Sequence, residues 1–210
     1  MSSRITTDDR GVVTGNTYDK YGSTNPVVRR LMAGFHRSLD ELFDAASPAS
    51  ILDIGCGEGV ITREWAGRIA PGRVVGVDLD DPHLHEEWDA NPMENVEYRV
   101  MQGERLEFSD GEFEMVSAIE VLEHVDEPAQ VLAEMARCSS RWLLVSVPRE
   151  PIWRATNMAR GAYWRTLGNT PGHLNHWSSR SFISLLERYG TVVEERRPFP
   201  WTMALIRVGD

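Results

Sequence analysis

The stretch Ile51-Leu52-Asp53-Ile54-Gly55-Cys56-Gly57-Glu58-Gly59-Val60 constrains this chain more than any other, because an apolar run closing on an acid meets glycines at alternate positions. Glycine adopts positive φ without strain and lets bare backbone approach a ligand, so the pattern reads as a strand running into a tight turn. Residues 59 to 70 then read as a helix whose amide groups and positive dipole end face whatever the turn holds. The ligand this implies is a nucleoside.

Glycine-rich turns after strands serve several ligand classes, and the next segment separates them. Arg73-Val74-Val75-Gly76-Val77-Asp78-Leu79 is a second buried-type strand ending in an acid. Asp78 falls about twenty residues past the last glycine, where a nucleotide-binding α/β unit places a carboxylate for both ribose hydroxyls. Dinucleotide sites instead space their glycines Gly-x-Gly-x-x-Gly and seat a pyrophosphate at the helix N-terminus. Here the spacing is Gly-x-Gly-x-Gly with Asp53 two residues ahead, a carboxylate that repels a pyrophosphate and attracts an ammonium.

With these motifs the chain resembles the class I S-adenosylmethionine-dependent methyltransferases, in particular the small-molecule and quinone-type O-methyltransferases of the type 11 group. The resemblance runs over roughly residues 50 to 148. It includes Met101-Gln102-Gly103-Glu104-Arg105-Leu106-Glu107-Phe108, similar to the usual Gly-Asp-Ala-Glu-x-Leu-Pro-Phe, and Ile119-Glu120-Val121-Leu122-Glu123-His124-Val125 after the strand that starts at Phe113. Two positions depart from the pattern: Gln102 stands for the customary Asp and Glu107 for the proline. A Gln carbonyl still accepts a hydrogen bond. The resemblance implies S-adenosyl-L-methionine as cofactor, S-adenosyl-L-homocysteine as product, and cofactor contacts from Asp53, Gly55, Gly57, Gly59, Asp78, Leu79, Gln102, Gly103, Glu104 and Ile119.

Alternating strand-like and helix-like segments indicate an α/β fold, a doubly wound, seven-stranded, mostly parallel sheet with helices on both faces. Strands are expected near 51–54, 74–77, 96–100, 113–118, 141–147, 191–196 and 202–208, the last antiparallel by resemblance. Helices are expected near 59–70, 82–89, 127–138 and 179–189. The length of 210 residues suits a single methyltransferase domain over 1–210. A formal net charge of -10 argues against a nucleic-acid partner, which calls for a basic footprint. The two cysteines show no metal or disulfide spacing, and no apolar run approaches the length of a membrane span. The expectation is a cytoplasmic protein acting on a small-molecule acceptor, with its oligomeric state open.

Two segments lie outside the common core. Residues 17–46 form the first, where Asn25 and Pro26 signal a helix start and Val27, Leu31, Phe35, Leu39 and Leu42 form an apolar face. Tyr18 and Tyr21 ahead of it read either as loop packing or as a lid that covers the sulfonium by cation–π attraction. Residues 149–177 form the second, an inserted substrate-side cap. Arg149, Arg154, Arg160 and Arg165 are interleaved there with Trp153, Tyr163, Trp164 and Trp177. On a helical projection Ile152, Ala155, Ala159, Tyr163 and Leu167 share one face, so 149–167 reads as an amphipathic basic helix. Such a helix either packs as a cap or makes peripheral contact with an anionic membrane surface.

Methyl transfer to a hydroxyl needs positioning and a base, and histidine titrates near neutrality. His173 and His176, three apart, and Glu120 are the candidate catalytic residues, the histidines facing one site if their run turns helically. Glu120, Glu123 and His124 also form a thin divalent-metal ligand set; the run fits the metal-free exit loop better. Oxygen methylation of a phenolic, quinol or natural-product hydroxyl is the leading expectation, with nitrogen or carbon methylation in the same site behind it. A metal-assisted RNA methyltransferase and a non-catalytic cofactor-binding module are the remaining alternatives.

Overall fold

A computed structural model describes residues 25–159, 161, 163 and 166–209, together with the backbone of a short antiparallel pairing between Thr6–Thr7 and Val13–Thr14. Seven strands form one sheet: β1 (Ile51–Ile54), β2 (Val74–Asp78), β3 (Val96–Val100), β4 (Phe113–Ile119), β5 (Ser139–Pro148), β6 (Thr191–Arg196) and β7 (Trp201–Arg207). Their order is β3-β2-β1-β4-β5-β7-β6. The first five strands are parallel, and β7 runs antiparallel to both β5 and β6. Order reverses between β1 and β4, which opens a crevice outside the carboxyl ends of the strands, the place where open α/β sheets bind ligands.

Strands buried on both faces need an apolar layer on each side. One layer joins β-strand residues Ile51, Met115, Leu144 and Leu205 to Phe35, Leu39 and Leu42 of α1 (Pro26–Ala46) and Trp65 of α2 (Val60–Ile69). The other joins Leu52, Val116, Val145 and Ile206 to Val131, Leu132 and Met135 of α4 (Pro128–Cys138) and Phe182 of α6 (Ser179–Leu186). Beyond the opposite edge, Trp88 of α3 (Pro82–Ala90) stacks on Tyr98 of β3, centroids 4.9 Å apart and planes nearly parallel. Asn25 caps α1 by accepting from the Val27 amide, and Ser178 caps α6 by accepting from the Ser181 amide.

The expected elements are present, with three differences that have physical causes. Strand β5 begins at Ser139, directly where α4 ends, and α6 stops at Leu186 rather than 189. On α1 the buried face starts at Met32; Val27 is 65% exposed and, with Arg30, Leu31 and Phe199, lines an open surface cleft. The helix expected over 149–167 does not form at that length: α5 spans Ile152–Ala159 and stops before Gly161. Tyr163 and Leu167 take left-handed conformations (φ 57° and 49°), Ala155 and Ala159 are exposed, and the one buried α5 residue among those described is Asn157. Its amide donates to the Gly168 carbonyl and the Thr170 hydroxyl, so this segment folds back on itself instead of presenting a continuous apolar stripe.

Candidate active site

The turn after β1 meets the loop after β4 at the crevice. Gly55, Gly57 and Gly59 all have positive φ (66°, 53° and 75°). A Cβ at Gly55 would overlap Val121 and one at Gly59 would overlap the Tyr98 hydroxyl, whereas one at Gly57 would meet nothing within 4 Å. The turn is therefore sealed against protein at two glycines and open at the middle one. Asp78, at the end of β2, fixes that open point: one carboxylate oxygen accepts from the Gly57 amide at 2.6 Å and the other from the Leu79 amide at 2.8 Å. The indole of Trp88 donates to the Gly57 carbonyl at 2.9 Å, so the open glycine is held from both of its backbone polar groups.

Asp53 lies beneath this turn rather than at its rim. It is 3% exposed, and its oxygens accept from Thr62 at 2.7 Å and Ser117 at 2.8 Å. Burial pushes its carboxyl up from 3.8 to about 6, against those hydrogen bonds, with Asp78 adding to the rise. A folded pKa above the unfolded one means that this contribution to stability is complete below the unfolded value and is lost as pH rises through about 6. Asp53→Asn should therefore gain on the parent by up to about 3 kcal/mol between pH 4 and pH 8 in denaturant titrations without cofactor. A stability difference independent of pH would contradict the assignment.

The segment from Gln102 to Phe108 follows β3 at the same edge and is pinned by α4. The Leu106 amide donates to Glu134, and Arg137 donates to the Leu106 and Phe108 carbonyls. Gln102 is exposed, Glu104 and Leu79 are half-buried, and Gly103 packs against Ile54 and Val131. Ile119 ends β4. Tyr18 and Tyr21 lie outside the described residues.

On the other side of the crevice stands Glu120, in a left-handed conformation (φ 61°). Its amide donates to Ser146, and its carboxylate accepts from the Ser146 hydroxyl at 3.0 Å and from the Trp201 indole at 2.6 Å. Trp201 was not legible as a site residue: it opens β7, and only the antiparallel pairing that sets it against Pro148 brings it here. It belongs to an aromatic run. Phe35 meets Trp201 (4.9 Å between centroids), Trp201 meets Trp153 (5.9 Å), Trp153 stacks on His173 (5.8 Å), and His173 meets His124 edge-on (4.9 Å).

The two candidate histidines have different surroundings, because residues 169–177 form turns rather than a helix. His173 is 8% exposed, held where the Leu174 and Asn175 amides donate to the Glu123 carbonyl. His176 is exposed and pairs with Asn169 at 2.6 Å; desolvation and then the Arg154 cation lower its pKa. Nδ1 of His124 lies 2.9 Å from the Gly172 carbonyl, which can only accept, so Nδ1 carries a proton. Glu123, His124 and His173 each bring a ligand atom within 4.8 Å of the others. The structure thus exchanges one member of the expected metal set: His173 joins Glu123 and His124, and Glu120 is held apart by Trp201 and Ser146.

Comparison with known proteins agrees with this geometry. A ubiquinone biosynthesis O-methyltransferase from Nitrosomonas europaea is 31% identical over 117 residues, which is 51% of this chain and 47% of that protein. Its counterpart from Thiobacillus denitrificans is 35% identical over 95 residues, 41% of this chain and 38% of that protein. The chain thus spans less than half the length of the curated relatives it matches. In fold it is similar to magnesium protoporphyrin IX methyltransferase from Synechocystis PCC 6803 with bound S-adenosylhomocysteine (TM-score 0.66, 16% identity, 90% of each chain). A family described as a methyltransferase domain matches residues 27–196. That match takes in most of the chain, and the chain belongs to the methyltransferase-domain family.

Proposed function

We propose that the protein methylates a hydroxyl of a small, planar aromatic acceptor, a phenol or quinol. The observation that carries this reading is the aromatic run Phe35–Trp201–Trp153–His173–His124 at the carboxyl edge of the sheet. Flat rings stack on such surfaces, and the buried imidazole of His173 within the run is suited to take a proton from a ring hydroxyl. S-adenosylmethionine supplies an electrophilic methyl on a sulfonium. The chain's own residues do the rest. Gly57 and Asp78 form the cradle, Asp78 is the group placed to accept from the ribose, and Leu79, Gln102, Gly103, Glu104 and Ile119 flank the base. Glu120, pinned by Trp201 and Ser146, sets a negative charge beside the sulfonium side of the crevice. His173 is the base; His176, neutral and at the rim, orders the segment that carries it. Residues 149–177 serve as the cap over this pocket.

The Glu123–His124–His173 cluster supports a second reading, in which a divalent cation held by these three groups lowers the acceptor's pKa. Transfer of labelled methyl from S-adenosylmethionine to catechol, before and after exhaustive chelation, separates the two. We expect transfer to oxygen to survive chelation. Loss of turnover, restored by magnesium or manganese, would favour the cation; no transfer to any phenol or catechol would overturn the acceptor class.

A further inference from the structure

Among the described residues, several arginines find carboxylates: Arg73 with Glu97 and Glu112, Arg137 with Glu134 and Asp110, Arg196 with Glu41 and Glu194. Arg154 lies 3.6 Å from Glu150. Arg149 is different. It is half-buried, its Nε is sealed from solvent with no acceptor, and no described carboxylate comes within ion-pair distance of it. In a chain of net charge -10, carboxylates are plentiful, and a guanidinium nitrogen sealed from water without an acceptor is costly.

Its place in the fold says where the missing anion would come from. Arg149 is the first residue after β5, one beyond Pro148, which pairs with Trp201. The Arg149 amide donates to the Pro200 carbonyl, its own carbonyl accepts from the Trp153 amide, and it bridges to Trp177. The backbone of Arg149 is thus tied to Trp153, a member of the aromatic run, and to the residue just before Trp201, another member, at the carboxyl end of β5.

We infer that Arg149 is an anion-recognition residue and that the acceptor carries a carboxylate or phosphate on its aromatic ring. A guanidinium fork matches either group with two parallel hydrogen bonds, and such a pair both anchors the ring and sets which hydroxyl faces His173. This inference rests on the proposed acceptor class, and its test is built so that the two fail separately.

Turnover of 3,4-dihydroxybenzoate is compared with that of catechol, in the parent protein, Arg149→Gln and Arg149→Lys. Binding of the acid to the protein saturated with S-adenosylhomocysteine is titrated in parallel, a readout that needs no turnover. The parent is expected to favour the acid by tenfold or more in kcat/KM. Arg149→Gln should collapse that ratio and raise the Kd of the acid by a similar factor, while Arg149→Lys should retain part of it. S-adenosylhomocysteine affinity in each variant reports folding. Equal handling of acid and catechol by the parent, or a ratio unmoved in Arg149→Gln, would overturn the inference and leave the aromatic acceptor standing. Sedimentation with vesicles of phosphatidylglycerol and phosphatidylcholine forms the last arm. Arg149-dependent vesicle binding with no preference for the acid would assign the anion to a lipid headgroup and overturn the acceptor assignment.

Discussion

Asp78→Ala is expected to weaken S-adenosylhomocysteine binding by about 3 kcal/mol, roughly a hundredfold, at the upper end for losing hydrogen bonds to a charged group. The effect is large because Asp78 has two tasks. Besides the ribose hydroxyls we propose it meets, its carboxylate accepts from the Gly57 and Leu79 amides and so fixes the open point of the glycine turn. Burial raises its pKa, and the two backbone hydrogen bonds that shape the turn work against that rise. Calorimetric titration checks it. Parental affinity retained in the variant, or NAD binding more tightly than S-adenosylhomocysteine to the parent, would contradict the assignment.

The second large effect concerns His173. His173→Asn should lower kcat for a phenolic acceptor by about 10² to 10⁴, the range for a positioned general base, with cofactor affinity unchanged. His176→Asn should stay within about tenfold of the parent, since that imidazole is exposed and serves the loop through Asn169. Steady-state rates with titrated cofactor affinity distinguish the cases. Equal losses in both variants would mean that the loop, not the base, had been damaged.

Much of this fold was legible in the chain because its signals are local. Alternating apolar runs gave the strands, Asn25-Pro26 and Ser178 marked helix starts, and Asp53-x-Gly55-x-Gly57-x-Gly59 with Asp78 marked the crevice. What was not legible depends on contacts distant in sequence. His173 joins Glu123 and His124 only because the Leu174 and Asn175 amides reach the Glu123 carbonyl, about fifty residues away. Trp201 of β7 reaches Glu120, just past β4, across the intervening β5. The 149–167 segment misled for the opposite reason. Its apolar spacing matched a helix, but Gly161 carries a helix cost of about 1 kcal/mol relative to Ala, and Asn157 found better partners by folding the chain back. The burial of Asp53 was likewise hidden, since it depends on hydrogen bonds from Thr62 and from Ser117 on the neighbouring strand.

The described helices include none long and apolar enough to cross a membrane. The most direct test of the account is a structure of the ternary complex with S-adenosylhomocysteine and catechol. The account places the acceptor ring against Trp153, with one hydroxyl about 3 Å from a ring nitrogen of His173 and directed at the sulfur. A catechol bound instead at His176, or in the surface cleft between α1 and Phe199, would contradict it.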